Sequence, residues 1–230
     1  MHQLHEFNSR ELLDNQLADK VANILETAVK LRGKASIAVS GGSTPKGFFS
    51  VLSKKSLPWK QITVTLADER WVDINDDASN TKLVHQNLLQ NNALEANFFH
   101  IKQGDLLSSE VLADLNLAAG TTVLPFDVLI LGMGEDGHTA SLFPCSNEIH
   151  SALSKDAAPL LKVVPTTAPH ERITFSYAYL AQSKNTFLHI CGQGKKTVLD
   201  QALAGDEITE MPIRAFLQHP SLTTNVYWAE

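Results

Sequence analysis

Cysteines and long apolar runs are scarce in this chain, and their scarcity excludes two classes of protein. Among 230 residues only Cys145 and Cys191 are cysteines, far apart and without further ligand-type side chains at zinc spacing, so we expect neither a disulfide framework nor a bound metal. The longest apolar run, residues 122–131, is interrupted by Pro125 and Asp127 and is shorter than the roughly 20 residues that cross a bilayer. We therefore expect no membrane partner.

Positive charge is scarce as well. The formal net charge is −6 and no basic cluster is larger than two adjacent lysines, so we expect no nucleic-acid partner. A few basic side chains in one cleft can still attract an anionic small molecule. Residues 1–10 hold histidine and acidic side chains where a secretory signal would have a basic start and an apolar stretch, and we expect a cytoplasmic protein.

What the sequence does contain is a regular alternation of helical and strand patterns. Hydrophobic residues make up 43% of the chain, enough for one sizeable core, and we expect a single domain over residues 1–230. Apolar residues recur every three or four positions from Leu12 to Leu31, which predicts an amphipathic helix ending near Gly33. A strand is predicted at 35–40, followed by a glycine turn and a second helix that opens at 43–45.

The same alternation continues along the chain. Further strands are predicted at 62–67, 126–131, 160–164, 172–177, 186–192 and 226–228, and further helices at 79–89 and 105–118. Strands that alternate with helices indicate an α/β fold with a parallel sheet covered on both faces. Such sheets bind ligands in loops at the carboxyl ends of their strands, so candidate motifs are sought there.

The turn after the first of these strands is Ser40-Gly41-Gly42-Ser43-Thr44-Pro45. Its glycines let a ligand approach the backbone, and a helix that starts at Pro45 would present free N–H groups and a positive dipole end to a phosphate. The alternative is an ordinary strand-to-helix turn with Ser43 or Thr44 as the capping residue. No Gly-Lys-Ser/Thr follows at Walker-loop spacing, so nucleotide hydrolysis is not indicated.

A second glycine-rich segment, residues 132–144, follows the strand predicted at 126–131. Its letters match the dinucleotide fingerprint, but Pro144 cuts the helical stretch short and no later strand ends in a well-placed acid, so we reject a dinucleotide site. Asp136 and His138 lie two residues apart on this turn, where a carboxylate can fix the tautomer of an imidazole that transfers protons. A capping or surface histidine is the alternative, and the position at a strand end favours proton transfer.

Three shorter segments place charges at other strand ends. Asp68, Glu69 and Arg70 follow the strand at 62–67, and Arg172 opens the strand at 172–177. Lys195 and Lys196 follow the strand at 186–192, and the sequence leaves open which of the two would face a ligand. The segments with Arg172 and with the two lysines could each aim one cation at a phosphate, but taken alone such charges are more often surface charges.

Together, residues 40–45, 68–72, 132–144 and 172–174 resemble the 6-phosphogluconolactonase family in order and spacing, over nearly the whole chain. The segment at 132–144 is highly specific, whereas the turn at 40–45 is shared with the related glucosamine-6-phosphate deaminases. The resemblance implies a modified Rossmann-like α/β sandwich of three layers, no cofactor, and hydrolysis of 6-phospho-D-glucono-1,5-lactone to 6-phosphogluconate in the oxidative pentose phosphate pathway. The expected partner is this phosphorylated lactone, bound by a monomer or a small homo-oligomer.

The resemblance also implies roles for single residues. His138 is the expected catalytic histidine, and Arg172 and Lys195 are the expected phosphate clamp. We add Asp136, which would orient the imidazole, and Asp68 as a further catalytic carboxylate. The remaining expected substrate contacts are Ser40, Gly41, Gly42, Ser43, Thr44, Arg70 and Gly134, with the glycine turn or Arg70 supplying donors to an oxyanion. One departure is Cys145, where the family has glycine, and it puts only the local loop shape in question.

Two other functions compete with the lactonase. A deaminase carries an acidic residue five positions after the motif histidine, and this sequence has Phe143 there, which removes part of the ring-opening machinery. A sugar-phosphate sensor without turnover would need a DNA- or protein-binding appendage, and we find no segment in the sequence to provide one. We therefore favour hydrolysis, with His138 as the general base that activates water.

Overall fold

Seven strands pair in parallel to form the central sheet. The structure, a computed structural model, describes residues 1–230. From one edge to the other the strands are β1 (His2–Phe7), β10 (Thr224–Ala229), β9 (Thr186–Cys191), β6 (Val128–Leu131), β2 (Ala35–Val39), β3 (Ile62–Leu66) and β5 (Asn97–Phe99). Every residue of β2 and β6 is buried, as is usual for parallel strands that are covered on both faces.

Eight α-helices connect and cover these strands. They are α1 (Arg10–Arg32), α2 (Lys46–Leu52), α3 (Asn80–Asn87), α4 (Ser109–Thr122), α5 (Ile149–Leu153), α6 (Tyr177–Leu180), α7 (Gln193–Ala204) and α8 (Arg214–Leu217), with 3₁₀ turns at Trp59–Gln61 and Asn91–Glu95. Helix α1 begins where the Ser9 side chain accepts the N–H of Leu12 and ends at Gly33, whose φ is 75°. Its buried stripe packs on β2, β6 and β10. No helix combines the length and the apolar character needed to cross a membrane.

Three further strands form a small antiparallel sheet in the order β4 (Asp68–Arg70), β8 (Arg172–Phe175) and β7 (Leu160–Val163). Strand β4 follows β3 after the single residue Ala67, whose carbonyl accepts the N–H of Phe175 at 3.0 Å. The expectation of parallel pairing is wrong for β7 and β8. The connection between them is only residues 164–171, and a parallel crossover needs about a dozen residues or more.

The predicted α/β class with a mostly parallel sheet is confirmed, and most of the predicted elements are present with bounds shifted by a few residues. The helix expected from residue 105 begins at Ser109, because the Ser108 side chain accepts the N–H of Val111 and caps it there. Strands β1, β4 and β5 were not predicted. The first is a polar edge strand, and the other two have only three residues each, too few for a hydrophobic period to show.

The chain reverses its course across the sheet between β2 and β6. From β2 it continues to β3 and β5 on one side, whereas β6 is followed in the central sheet by β9 on the other side. The N–H of Ser40 donates to the carbonyl of Ile130 at 3.0 Å, which holds the two strand ends together. A crevice opens at such a point because the two following loops leave in opposite directions. The segments at 40–45 and 132–144 both begin there.

The opposite end of the sheet is closed by a buried carboxylate. Asp127 accepts hydrogen bonds from the N–H of Ser36 at 3.0 Å, from Nζ of Lys184 at 2.8 Å and from the guanidinium of Arg32. These contacts join the starting ends of β2, β6 and β9, and 58 buried residues fill one continuous hydrophobic cluster around the sheet. The amino ends of the strands are therefore tied together, while the carboxyl ends carry the open crevice.

Candidate active site

The crevice between the strand ends is a cavity of about 280 Å³, a size suited to a small molecule. It is lined by the loops that follow β2, β6 and β9 and by side chains of β4 and β8. Every predicted site residue except Asp136 lines this cavity; these are Ser40, Gly41, Gly42, Ser43, Thr44, Asp68, Arg70, Gly134, His138, Arg172 and Lys195. Asp136 lies directly behind His138. The fold therefore brings together all the side chains that the sequence singled out.

His138 and Asp136 form a hydrogen-bonded pair on the loop after β6. Nδ1 of His138 lies 2.5 Å from Oδ1 of Asp136, and the same oxygen accepts the backbone N–H of His138 at 3.1 Å. Burial raises the pKa of Asp136. Its hydrogen bonds to His138 and the charge of the imidazole lower the pKa by more than burial raises it, so the net pKa lies below the ordinary value. Asp136 is therefore ionised near neutral pH and selects the His138 tautomer with the proton on Nδ1.

Glycines make room for this pair. A Cβ on Gly134 would lie 2.1 Å from Nδ1 of His138, so a larger residue there would displace the ring. Gly137 has a φ of +75°, and its carbonyl accepts the N–H of Ile213 at 2.9 Å, which ties the turn to the segment before α8. The imidazole itself is about one-third exposed, with 29% of its side-chain surface accessible, so a ligand can reach it from the cavity.

The turn at 40–45 is shaped by contact with a buried amide. Helix α2 starts at Lys46, and neither Ser43 nor Thr44 caps it, so the simple capping alternative is wrong. A Cβ on Gly41 would lie only 1.9 Å from Oδ1 of Asn80, which shows how closely the turn packs on that side chain. Asn80 is buried, lines the cavity and donates from Nδ2 to the carbonyl of Asp68 at 2.9 Å. It connects the glycine turn to β4.

Two arginines face each other across the small sheet. Arg70 and Arg172 are paired residues of β4 and β8, both line the cavity, and Nε of each is buried without a hydrogen-bond partner. Burial lowers the pKa of the Arg172 guanidinium and so does the charge of Arg70, against the opposite effect of Asp68. Arginine stays charged even so. Two desolvated guanidinium groups with unused donors favour an anion between them.

Asp68 offsets only part of this charge. Its Oδ2 accepts the hydroxyl of Ser141 at 2.5 Å and lies 3.8 Å from Nη1 of Arg172, a separation too long for a hydrogen bond. The N–H of Ser141 in turn donates to Oγ1 of Thr174 at 3.2 Å. Asp68 therefore fastens the loop after β6 to β4 and leaves Arg172 free to bind a ligand.

Lys195 and Lys196 differ in direction. Lys195 lines the cavity from the first turn of α7, whereas Nζ of Lys196 lies 2.6 Å from Oδ1 of Asp200 on the outside of the same helix. The sequence left open which of the two faces the ligand. The structure turns Lys195 toward the cavity and Lys196 away from it.

The sequence noted Glu69 only as a second carboxylate beside Asp68 and missed that it holds β4 in place. This carboxylate is 1% exposed and accepts four hydrogen bonds: from the N–H groups of Arg70, Asn80 and Thr81 at 2.7–2.8 Å, and from the hydroxyl of Ser79 at 3.1 Å. It thereby caps the N-terminus of α3. Since side chains alternate along a strand, a Glu69 that points to α3 directs Asp68 and Arg70 to the cavity. In the sequence these residues form one charged run that is typical of an exposed loop. Such a run does not indicate that Glu69 points away from Asp68 and Arg70.

His189 was also missed. It lies on β9, lines the cavity and is almost completely buried, with neither ring nitrogen hydrogen-bonded. Burial lowers the pKa of His189 to about 4 and raises the pKa of Asp14, whose Oδ1 is 3.5 Å from Nε2, to about 6. The two groups are therefore not an ion pair at neutral pH, because the imidazole is neutral. A single histidine inside an apolar strand reads as core in the sequence, which is why it was passed over.

Cys145, the departure from the family pattern, lies outside the cavity lining. Its Sγ is 3.1 Å from Oγ1 of Thr167, within the irregular loop that leads to β8. Cys145 therefore belongs to the local loop structure and contributes no side chain to the cavity.

Comparison with known proteins agrees with this geometry. A sequence profile described as glucosamine-6-phosphate isomerases/6-phosphogluconolactonase matches residues 8–228. A 6-phosphogluconolactonase of Rhizobium meliloti is 42% identical over 230 residues, covering 98% of each chain. The crystal structure of a 6-phosphogluconolactonase from Shewanella baltica superposes with a TM-score of 0.96 at 44% identity, covering 100% of this chain and 98% of that one. A monomeric glucosamine-6-phosphate deaminase shares the fold, with a TM-score of 0.79 at 18% identity over 99% of this chain and 97% of its own.

We predict that Glu69→Gln destabilises the protein by about 2 kcal/mol, because the glutamine amide would present N–H donors to backbone donors that are then left unpaired in a buried place. Urea denaturation followed by circular dichroism measures this. Glu95→Gln is the matched control: Glu95 is 59% exposed in its side chain and paired with Lys60 at 3.3 Å, and its loss should change stability by less than about 0.5 kcal/mol. Equal midpoints for the two variants would contradict the capping role of Glu69.

Proposed function

Since this chain belongs to the family of glucosamine-6-phosphate isomerases and 6-phosphogluconolactonases, we propose that it hydrolyses 6-phospho-D-glucono-1,5-lactone to 6-phosphogluconate, a step of the oxidative pentose phosphate pathway. The proposal places the protein in the cytoplasm, where a monomer or a small homo-oligomer would bind the phosphorylated lactone. The observation that carries it is spatial. The glycine turn at 40–45 and His138 open into one cavity, whose wall also holds Arg172 and Lys195.

In this proposal His138 is the general base. Its Nδ1 proton is held by Asp136, so the lone pair of Nε2 is available to take a proton from a water molecule. The water oxygen attacks the lactone carbonyl carbon and forms a tetrahedral oxyanion. When the bond from this carbon to the ring oxygen breaks, the imidazolium returns its proton to that oxygen, so His138 ends neutral again. Asp136 stabilises the transient imidazolium by its charge.

The cations of the cavity bind the two anionic groups of the reaction, the oxyanion and the phosphate. Arg70 lines the cavity and is placed to donate to the oxyanion. Arg172 and Lys195 hold the phosphate, together with hydroxyl and N–H donors of the turn at 40–45. Asp68 keeps Ser141 and Arg172 in place behind them. Binding the phosphate fixes the distance from the lactone carbon to His138, which lowers the entropic cost of the attack.

The deaminase alternative fits the cavity less well. A ring-opening reaction of an amino sugar phosphate would use an acidic side chain at position 143, and this chain has a phenylalanine whose ring lies against the His138 imidazole. An apolar face cannot transfer a proton. A binding protein without turnover is the remaining alternative, and the hydrogen-bonded pair of Asp136 and His138 in the cavity favours catalysis over it.

A spectrophotometric assay against freshly prepared lactone tests the proposal. We expect purified protein to accelerate hydrolysis well above the spontaneous rate and to release no ammonia from glucosamine 6-phosphate. Ammonia release without lactone hydrolysis would establish the deaminase. Tight binding of 6-phosphogluconate with a lactone rate equal to the spontaneous one would establish a sensor.

We predict that His138→Ala lowers kcat by a factor on the order of 10²–10⁴, because the proton acceptor is lost, while the Kd for 6-phosphogluconate changes little. Asp136→Asn keeps an acceptor for Nδ1 and removes only the charge, so its loss of kcat should be smaller, roughly tenfold. Steady-state kinetics and isothermal titration calorimetry measure the two effects. His150→Ala, an exposed histidine on α5, is the control and should match the wild type. Wild-type turnover in His138→Ala would rule out this base.

We predict that Lys195→Ala raises KM roughly tenfold, with a much smaller change in kcat, because a cation that binds the remote phosphate holds substrate and transition state alike. Lys196→Ala is a matched control one residue away, since its ammonium is bound to Asp200 on the outer face of α7. KM is measured at low and high salt, where screening should reduce the difference. If Lys196→Ala raised KM as much as Lys195→Ala, the assignment of the phosphate to Lys195 would be wrong.

A further inference from the structure

One buried aromatic ring touches both the base and the guanidinium of the site. The rings of His138 and Phe143 are stacked with centroids 4.1 Å apart and planes inclined by 28°. Cζ of Arg172 lies over the ring of the same Phe143, 5.0 Å from its centroid. Phe143 is 2% exposed, so these two contacts occupy a ring that has almost no access to water.

The backbone between His138 and Phe143 is folded to produce this contact. The N–H of Leu142 donates to the carbonyl of Thr139 at 3.0 Å and closes a tight turn, in which Ala140 has a φ of 49°. A non-glycine residue in the left-handed region is unfavourable and persists where the surroundings enforce it. Here the enforcing contacts are those of Ser141, whose N–H and hydroxyl bind Thr174 and Asp68. The chain is thus held in a shape that returns Phe143 to the face of His138.

Neither His138 nor Arg172 is fixed by its polar contacts alone. The His138 ring is held at Nδ1 by one carboxylate, and rotation about that contact would swing Nε2 away from the cavity. Arg172 has a single hydrogen bond, from Nη2 to the carbonyl of Pro169 at 3.3 Å, and its Nε has none. A flat ring against the imidazole face opposes the rotation, and the same ring attracts the guanidinium through its π-electrons.

We propose that Phe143 is a positioning residue that fixes the His138 imidazole and the Arg172 guanidinium relative to each other, so that both act on one bound anion. The proposal rests on the lactonase function proposed above. An apolar ring suits the task because a carboxylate in its place would pair with Arg172 and remove a positive charge from the ligand. Phe143 touches neither substrate nor reacting atoms. Its loss is therefore expected to lower kcat because His138 is misplaced, and to raise KM because Arg172 is misplaced.

Phe143→Leu tests this, since leucine keeps the apolar character and removes the flat face. We expect kcat to fall by about 10–100-fold, as for a misplacement of the base by about 1 Å, and the affinity for 6-phosphogluconate to fall several-fold. The matched control is Phe126→Leu. Phe126 is fully buried, packs edge-on against Phe175 and lies before β6, at the end of the sheet away from the cavity. It should lose comparable thermal stability and keep wild-type kcat and affinity.

A double variant separates positioning from a general loss of structure. Phe143 and Asp136 orient the same ring, so adding Phe143→Leu to Asp136→Asn should lower kcat by clearly less than the product of the two single effects. Phe143→Met is measured in the same way should the leucine variant not fold. The proposal is overturned if Phe143→Leu loses no more kcat and affinity than Phe126→Leu, or if the effects simply multiply. If the wild-type protein had no lactonase activity, the proposed function would be wrong instead. The affinity of the variants for 6-phosphogluconate would then still test whether Phe143 positions Arg172.

Discussion

The site depends on the parallel pairing of β2 with β6. These two strands are neighbours in space but are separated by about ninety residues of chain, and the loops that leave them run to opposite halves of the sheet. The backbone bond from Ser40 to Ile130 fixes the two loop origins at hydrogen-bonding distance. The glycine turn and the segment that carries His138 therefore have to share one crevice, whatever ligand it holds. Asp127 immediately precedes β6 at the other end of the same strands. It keeps this register by accepting hydrogen bonds from β2 and from the segment before β9.

The second constraint is the burial of charge around that crevice. Three cations and one carboxylate line the cavity, in a chain whose formal net charge is −6. Burying an ion costs free energy unless the ion is paired or hydrogen-bonded, and the charged groups here differ in how completely they are paired. Glu69 satisfies its hydrogen-bonding capacity with four donors, whereas Arg70 and Arg172 each keep an unpartnered Nε. Of the seven residues with an unpartnered buried side-chain N or O atom, four line the cavity: Ser40, Arg70, Arg172 and His189.

The sequence predicted the parts of the molecule in which local pattern and final environment agree. Helix α1 could be placed because its apolar period and its terminal glycine both indicate the same element. The loops at 40–45 and 132–144 could be singled out because glycines and reactive side chains follow an apolar strand. The small sheet could not be foreseen in the same way. Whether β7 and β8 pair with each other or join the central sheet is decided by contacts far apart in the sequence, such as the bond from Phe175 to Ala67.

The missed residues have a common cause. Glu69 and Asn80 act through backbone groups of α3 and the glycine turn, and their surroundings exist only once β4 lies beside α3. His189 was not singled out within its predicted strand, and Phe143 was noted only as the residue at the place of an acid, since a sequence gives no angle between two rings. Side chains that act directly on a ligand carry recognisable chemistry. Those that hold them in place can be of any type, so their roles become visible only in the three-dimensional contacts.

In the proposed reaction the phosphate and the reacting carbon are bound by different groups, which explains why few polar side chains suffice. Lys195 lines the cavity from α7 and Arg172 from the small sheet, while His138 lies on the loop that follows β6. A phosphate that is bound away from the reacting carbon contributes binding energy that does not change as the bond to water forms. That binding energy holds the lactone carbon close to the base. Asp68 completes this arrangement by standing 3.8 Å from Arg172. A direct hydrogen bond to Asp68 would occupy a donor of the Arg172 guanidinium within the protein. At the longer separation this donor remains available to the ligand.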